Sequence, residues 1–329
     1  MKKFAHPFIH SAETRTDIAI DFMLALIPVL IWSVYIFGAR VITLCLLGGV
    51  FSIGFDYLFQ RFALNRTKDA SVDVMSINYG ILACFSMPVS APLWLPLISS
   101  ALVVFAKNLR VYRQKRLFNP YIFSAAVLHI AFPKLMTAFT KPFAYFSAFS
   151  ITIEPRLLNG YLVRSPLAYI ADGSVYEDGA VPQLFGYASG ALGEIAILAM
   201  CLSLCWLLYK KQADLTASAT FVFTLLILSL MFPSADAESA YFAYSIVLSG
   251  AIGFIAVFAL NESRTVPITS LGRLAFALVC GALVFASRKF FGGYEWGYLI
   301  ILLMNAISPF IEEFTVQKPY NAIKNRKKE

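Results

Sequence analysis

Long apolar runs separated by short polar stretches fill this chain, at 17–37, 40–60, 73–91, 92–106, 119–137, 189–208, 213–232, 240–260, 271–287 and 294–312. A helix needs about 20 apolar residues to cross roughly 30 Å of hydrocarbon, so each run is a candidate span. The runs lack strand alternation and regular turn signals. Inside a bilayer every backbone N–H and C=O must be satisfied within the protein, which here points to helices and not to a barrel. The pattern predicts an all-α integral membrane protein with about ten transmembrane helices.

The runs fall into two blocks of five. The expected organisation is a cytoplasmic N-terminus at 1–16, a first five-helix half at 17–139, a loop or cap at 140–188, a second half at 189–313 and a basic tail at 314–329. An odd number of spans per half reverses the second half, so any internal repeat is inverted, with a site near the interface of the halves. Irregular backbone at depth is expected at Pro88 in the third run and over 261–269 after the eighth, because such breaks line cavities. The middle stretch is too long for an idle turn, and its Phe143, Tyr145, Phe146, Phe149, Tyr161 and Tyr169 predict a packed cap.

Composition agrees: 59% of residues are hydrophobic, the mean hydropathy is +0.71 and only 14% are charged, against about 25% in an ordinary soluble domain. The formal net charge is +8, and its distribution sets the orientation. With the N-terminus inside, nineteen Lys and Arg fall in inner segments and seven in outer ones, with Arg273 at a helix start. Basic residues are retained on the cytoplasmic side, so both termini are expected there and 140–188 outside. The charge is then a topology signal that calls for no nucleic-acid partner. Met1 to Thr16 has no apolar core before a small-residue cleavage site, so no removed signal peptide is expected.

Candidate chemistry is sparse. Cys45, Cys84, Cys201, Cys205 and Cys280 all lie in apolar runs and read as packing residues, although Cys201 and Cys205 share a helix face on which two thiolates can join a metal centre between subunits. His129 is either a proton relay or a hydrogen-bonded core residue. Asp21, Asp56, Asp73, Glu194 and Glu262 lie in or at the ends of runs, where a carboxylate costs several kcal/mol unless it is paired or hydrated. Asp21, a full turn into its run, is the strongest candidate for an interior role. Glu194, after Gly190 and Gly193, is expected at a helix N-terminus, where the dipole favours an acid. No catalytic triad, P-loop or dinucleotide fingerprint is present.

Several stretches carry a resemblance. Lys107 to Pro120 (KNLRVYRQKRLFNP) with its Phe118-Asn119-Pro120 triplet, Gly190-Ala191-Leu192-Gly193-Glu194, and Phe291 to Pro309 (FGGYEWGYLIILLMNAISP) resemble RnfD, a membrane component of the Rnf electron-transport complex, and its relative NqrB of the sodium-pumping NADH:quinone reductase. His6 to Ser11, Asp21, Pro28, Asp73, Gly80 and Pro88 extend the likeness over nearly the whole chain. The resemblance implies a bacterial cytoplasmic-membrane subunit of a complex that couples ferredoxin- or NAD-linked electron transfer to sodium or proton movement, with other membrane and redox subunits as partners. The same framework is shared with urea-transporter-like proteins, which leaves a transporter, a channel or a scaffold as the alternative class.

In that family an outer loop carries FMN on the threonine of a Ser-Gly-Ala-Thr motif. Here the matching stretch is Asp178-Gly179-Ala180-Val181-Pro182. Valine has no oxygen to form the phosphoester, so covalent FMN is not expected at Val181. Ser174 is the nearby hydroxyl, in a Gly-Ser pair that reads as a turn. The expected cofactor, if a flavin is kept, is FMN or riboflavin held non-covalently. The resemblance places its binding residues at Asp178, Gly179, Ala180, Val181, Pro182, Gly190, Glu194, Phe118, Asn119 and Pro120.

Overall fold

The computed structural model describes residues 14–62, 73–109, 116–144, 162–171, 180–195, 197–233, 239–292 and 295–316. The described residues are mainly helical, with no named strand among them and an isolated antiparallel bridge from Thr140 to Leu162. The helices are α1 (Arg15–Phe37), α2 (Arg40–Phe62), α3 (Val74–Phe85), α4 (Leu95–Asn108), α5 (Pro120–Ala131) and the short α6 (Pro133–Met136). They continue with α7 (Pro166–Ala171), α8 (Ala180–Phe185), α9 (Ile197–Tyr209), α10 (Leu215–Met231), α11 (Ser239–Leu248), α12 (Ile252–Val257), α13 (Ser270–Phe290) and α14 (Gly297–Thr315).

Local chemistry sets many of the ends. Thr14 and Asp17 form a reciprocal capping box at the start of α1, and Gly38 at φ 85° stops it. Asp73, Asp214 and Thr269 each cap the helix that follows by accepting from a free backbone N–H. α3 ends at Phe85, three residues before Pro88, as expected from the ring's clash with helical backbone.

α1, α2, α13 and α14 are long and apolar enough to cross a membrane, and α11 with α12 and the 3-10 turn Ala259–Asn261 form a fifth candidate, bent by 59°. The remaining apolar helices, α3, α4, α5, α9 and α10, have 12–17 residues. Every expected run thus holds a helix, but several helices are shorter than the run. Large apolar side chains face outward at helical spacing, as in Ile20, Leu24, Ile27 and Ile31 of α1 and Leu303, Ile307, Phe310 and Phe314 of α14. The inward stripes carry Ser33, Ser52, Asn78, Ser99, Ser124 and Asn305. A polar interior under an apolar exterior is what hydrocarbon solvent selects, because lipid offers no hydrogen bonds.

α2 packs closely on α3 and α4, α4 on α5, and α10 on α11 and α13, while α1 meets α9 and α5 meets α14 to join earlier and later helices. The sixth run behaves differently from expectation. Its helix starts only at Ile197. Residues 186–195 stay unwound because α3's free carbonyls hold them: Leu192 N donates to Met87 O at 2.9 Å and Gly193 N to Phe85 O at 2.7 Å. Ser33 of α1 donates to Leu192 O at 2.5 Å and Trp32 Nε1 to Phe185 O at 2.8 Å. Glu194 therefore sits in a buried loop, and its expected place at a helix N-terminus is corrected.

Two buried arginines serve the helix breaks. Arg40 donates to Val89 O and Ala91 O, both at 2.8 Å, after α3. Arg288 donates to Ile246 O at 2.7 Å and Ser249 O at 2.9 Å, where α11 stops at Gly250 with φ 62°. This second break lies inside the eighth run, ahead of the expected one at 261–269, which is also non-helical from Glu262 until Ser270.

Candidate functional site

Two buried polar clusters lie at opposite ends of α5, joined by aromatic rings. In one cluster the Tyr79 hydroxyl is 3.1 Å from Glu262 Oε1 and receives a 2.7 Å bond from Arg116 Nη1. Burial works against the Arg116 charge, but Tyr79 and Glu262 beside it hold its pKa above the ordinary value. Tyr79 stacks on Tyr121, the second residue of α5, with centroids 6.1 Å apart.

Next to this cluster Lys107 Nζ reaches Asp56 Oδ2 at 3.0 Å, Asp73 Oδ2 at 2.6 Å and Ser76 Oγ at 2.5 Å, tying α2, α3 and α4. A cavity of about 420 Å³ opens beside Glu262, lined among others by Lys210, Gln212, Asp214, Arg264 and Arg273. Asn261 closes its wall by donating to Ser218 Oγ and Val257 O, each at 2.9 Å.

In the other cluster the Tyr298 hydroxyl donates to Glu194 Oε1 at 2.8 Å, and Ala191 N approaches Oε2 at 3.4 Å. The His129 ring lies 5.2 Å from that of Tyr298. Its Nδ1 is 2.9 Å from Ala125 O, which can only accept, so Nδ1 carries the proton. Arg288 Nη2 bonds both oxygens of Glu295 at 3.0 Å. A small cavity of about 30 Å³ lies between Glu194, Glu295, Gln183 and His129.

Between the clusters, Phe254 contacts Tyr121 at 5.8 Å and Tyr298 at 6.3 Å, both edge-on. Tyr79, Tyr121, Phe254 and Tyr298 are wholly buried. Tyr121 and His129 are eight residues apart on α5, about 12 Å at roughly 1.5 Å per residue. Two acid-bearing chambers thus lie on either side of a compact aromatic layer whose rings are in contact.

The family model for the NQR2, RnfD, RnfE family matches residues 3–321. The chain belongs to this family. Among curated relatives it is 25% identical over 329 residues to the D component of the Na(+)-translocating ferredoxin:NAD(+) oxidoreductase complex of Acetobacterium woodii, covering 98% of this chain and 95% of that one. It is 28% identical to the D component of the ion-translocating oxidoreductase complex of Stutzerimonas stutzeri, over 90% and 89% of the two chains. It is 26% identical to the D component of the proton-translocating ferredoxin:NAD(+) oxidoreductase complex of Clostridium ljungdahlii, over 94% and 92%.

Within this family member the residues that stand out in the sequence fall into separate places. Gly190 and Glu194 line the small cavity with Gln183 of α8. Ala180, Val181 and Pro182 form the first turn of α8, and Pro182 O accepts from Tyr187 N at 2.8 Å. Asp178, Gly179 and Ser174 lie outside the described residues. Phe118, Asn119 and Pro120 stand at the far end of α5, where Phe118 stacks on Phe123 and Asn119 is buried beside Tyr121.

Other expectations are redirected. Asp21 pairs with Lys210 at 3.0 Å and is partly buried, so it ties α1 to the end of α9. Lys107 and Arg116, at the two ends of the basic run, are buried and bonded inside the protein. Arg110, Arg113 and Lys115 between them lie outside the described residues. Cys201 and Cys205 are exposed on α9. Gln183, Tyr79, Tyr298 and Glu295 do not stand out in the sequence. An acid next to an aromatic at a helix start, as in Glu295 to Tyr298, is the one signal that points to any of them.

Proposed function

We propose that this chain is the D-type membrane subunit of an ion-translocating oxidoreductase, passing electrons linked to ferredoxin or NAD with coupled sodium or proton movement. The carrying observation is the pair of buried Tyr–acid clusters, Tyr79 with Glu262 and Tyr298 with Glu194, held apart by one aromatic layer. Carboxylates facing small polar chambers suit ion passage, and continuous rings between them keep the chambers from merging. The names of relatives matched over nearly their whole length support the same reading. In membranes carrying the intact complex, removal of this chain is expected to abolish ferredoxin-dependent NAD reduction coupled to ion uptake. Undiminished coupled activity without it would overturn the reading. Gentle detergent purification should bring down other membrane subunits in fixed ratio.

The architecture that goes with this reading is ten spans in two inverted five-helix halves. Tyr121 and Tyr298 support it: each is the second residue of its helix, α5 or α14, each is wholly buried, and both contact Phe254. His129 near the end of α5 lies against Tyr298 at the start of α14, so the two helices run antiparallel. Each is preceded by a helix ending in a buried basic residue, Lys107 in α4 and Arg288 in α13. With the termini cytoplasmic in a bacterial inner membrane, the Glu262 chamber faces inward and the Glu194 chamber outward. A cysteine placed at Ser174 is then expected to react with a membrane-impermeant maleimide on intact cells, and labelling only after lysis would reverse the topology.

Any flavin in this chain is held without a covalent bond. Val181 has no hydroxyl, and the cavity beside Glu194 has about 30 Å³, room for water-sized species and not for an isoalloxazine. The 420 Å³ cavity beside Glu262 is in the range of small-molecule sites, and Lys210, Arg264 and Arg273 would there face a flavin's anionic groups. The denatured chain is expected to have its sequence mass and no flavin fluorescence. Val181→Thr restores the acceptor oxygen, and a gain of one FMN mass would show that the rest of the attachment signal survives. A flavin-bearing peptide from the unaltered chain would refute this reading.

A further inference from the structure

The small cavity beside Glu194 gathers two carboxyl groups near one guanidinium and leaves one ligand unused. Glu194 and Glu295 bring two carboxylates, and Arg288 supplies one guanidinium, already spent on both Glu295 oxygens and on the carbonyls of the α11 break. No Lys or Arg is among the described residues that line the cavity. Arg164, whose carbonyl accepts from Ser189 at 2.6 Å, and Lys134 are exposed. His129 spends its Nδ1 proton on Ala125 O.

Gln183 supplies the second, independent observation. Its side chain is 2% exposed and lines the cavity, yet neither its Oε1 nor its Nε2 has a hydrogen-bond partner. A buried amide left unsatisfied costs about 1–3 kcal/mol, so a species that occupies the cavity and contacts it is favoured. The chamber is also lined by the unwound segments at Ser189–Gly190 and Ser249–Gly250, where backbone carbonyls lie outside helix bonding and Ser249 O accepts from Arg288 instead. Such broken backbone beside a carboxylate is the usual surrounding of a bound alkali cation in a membrane. Its volume exceeds the roughly 10–15 Å³ that one water-sized species requires.

We propose that this cavity binds one monovalent cation of sodium's size, with the Glu194 carboxylate as charged ligand and the Gln183 amide oxygen as neutral ligand. Water would answer only the amide, whereas a cation would bond the amide oxygen and balance the ionised form of Glu194 together. The purpose of the site rests on the ion-moving reading above, whereas its geometry does not. Gly250 belongs to the same design: a Cβ there would run into Glu295 Oε2 and stand 2.7 Å from Arg288 Nη2, so only glycine leaves the arginine to Glu295.

The test is the unfolding midpoint of the full-length chain in detergent as sodium chloride replaces choline chloride at constant ionic strength and about pH 8. A saturable rise with sodium is expected, absent in Glu194→Gln. In Gln183→Leu the half-saturating concentration should rise about tenfold, the equivalent of about 1.4 kcal/mol. Equal midpoints in sodium and choline for the unaltered chain would overturn the proposal. So would an infrared carboxylic-acid band, assigned through Glu194→Gln, that persists at saturating sodium, because the acid would then hold a proton where the cation should be. Failure to join a complex would show in co-purification and not in this titration, so the two readings fail separately.

Discussion

Lys107→Met is expected to lower the stability of the protein by about 3–5 kcal/mol, the range for removing one partner of a buried ion pair. Lys107 Nζ bonds Asp56 Oδ2 at 3.0 Å and Asp73 Oδ2 at 2.6 Å, and the Asp56 side chain is only 3% exposed. Gln60 adds a 3.0 Å bond to Asp56 Oδ2, which cannot replace the lost charge. Asp73 is less demanding, because its side chain is 41% exposed and it caps α3 through Met75 N. Adding Asp56→Asn to Lys107→Met should therefore recover much of the loss, since the remaining acid can reach water. The unfolding midpoint and the monodisperse fraction in mild detergent report both. A loss under about 1 kcal/mol for Lys107→Met would mean that Asp56 is hydrated and the triad is not buried in practice.

The parts of this fold legible in the sequence are those that local hydrophobicity decides. The runs at 17–37, 40–60, 271–287 and 294–312 match α1, α2, α13 and α14 within a few residues, because a long apolar run in lipid has no alternative to helix. The unwound segment at 186–195 is not legible. Its Ala, Leu and Gly residues suit a helix, and what prevents one is the supply of free carbonyls at Phe85 and Met87, about a hundred positions away in the chain. Gly250 likewise sits inside an apolar run, yet it follows the end of α11 at positive φ.

The buried cations mislead for a related reason. Arg40, Lys107 and Arg288 read as loop charges that report topology, yet each is under 8% exposed and bonds interior oxygens. Sequence position tells which helix end a cation occupies, not whether its head turns toward water or toward the carbonyls of a broken neighbour. Glu194 does stand out as an acid in an unusual context. Its partner Tyr298 comes from a segment about a hundred positions away with no motif in common, so only folding brings the cluster into view.

Glycines on two adjacent helices give a second large and directional expectation. α2 meets α3 where Gly48 faces Gly80, and Ser100 Oγ donates to Gly48 O at 2.9 Å from α4. A Cβ on Gly80 would strike the Gly48 carbonyl oxygen and come within 2.8 Å of Gly48 C and Ser52 Cβ. Backbone cannot rotate aside as a side chain does, so the two helices must separate and the Ser100 bond must stretch. Gly80→Ala is expected to cost about 3 kcal/mol, the upper end of ordinary overpacking. Gly54 on the same α2 is exposed, and a Cβ added there would meet nothing within 4 Å. Gly54→Ala should be neutral or stabilising by up to about 1 kcal/mol, because it removes the glycine penalty in a helix without a clash. The comparison is made on unfolding midpoints in the same detergent. If both alanines behaved alike, the close crossing of α2 and α3 would be wrong, since propensity alone cannot separate two glycines in helix interiors.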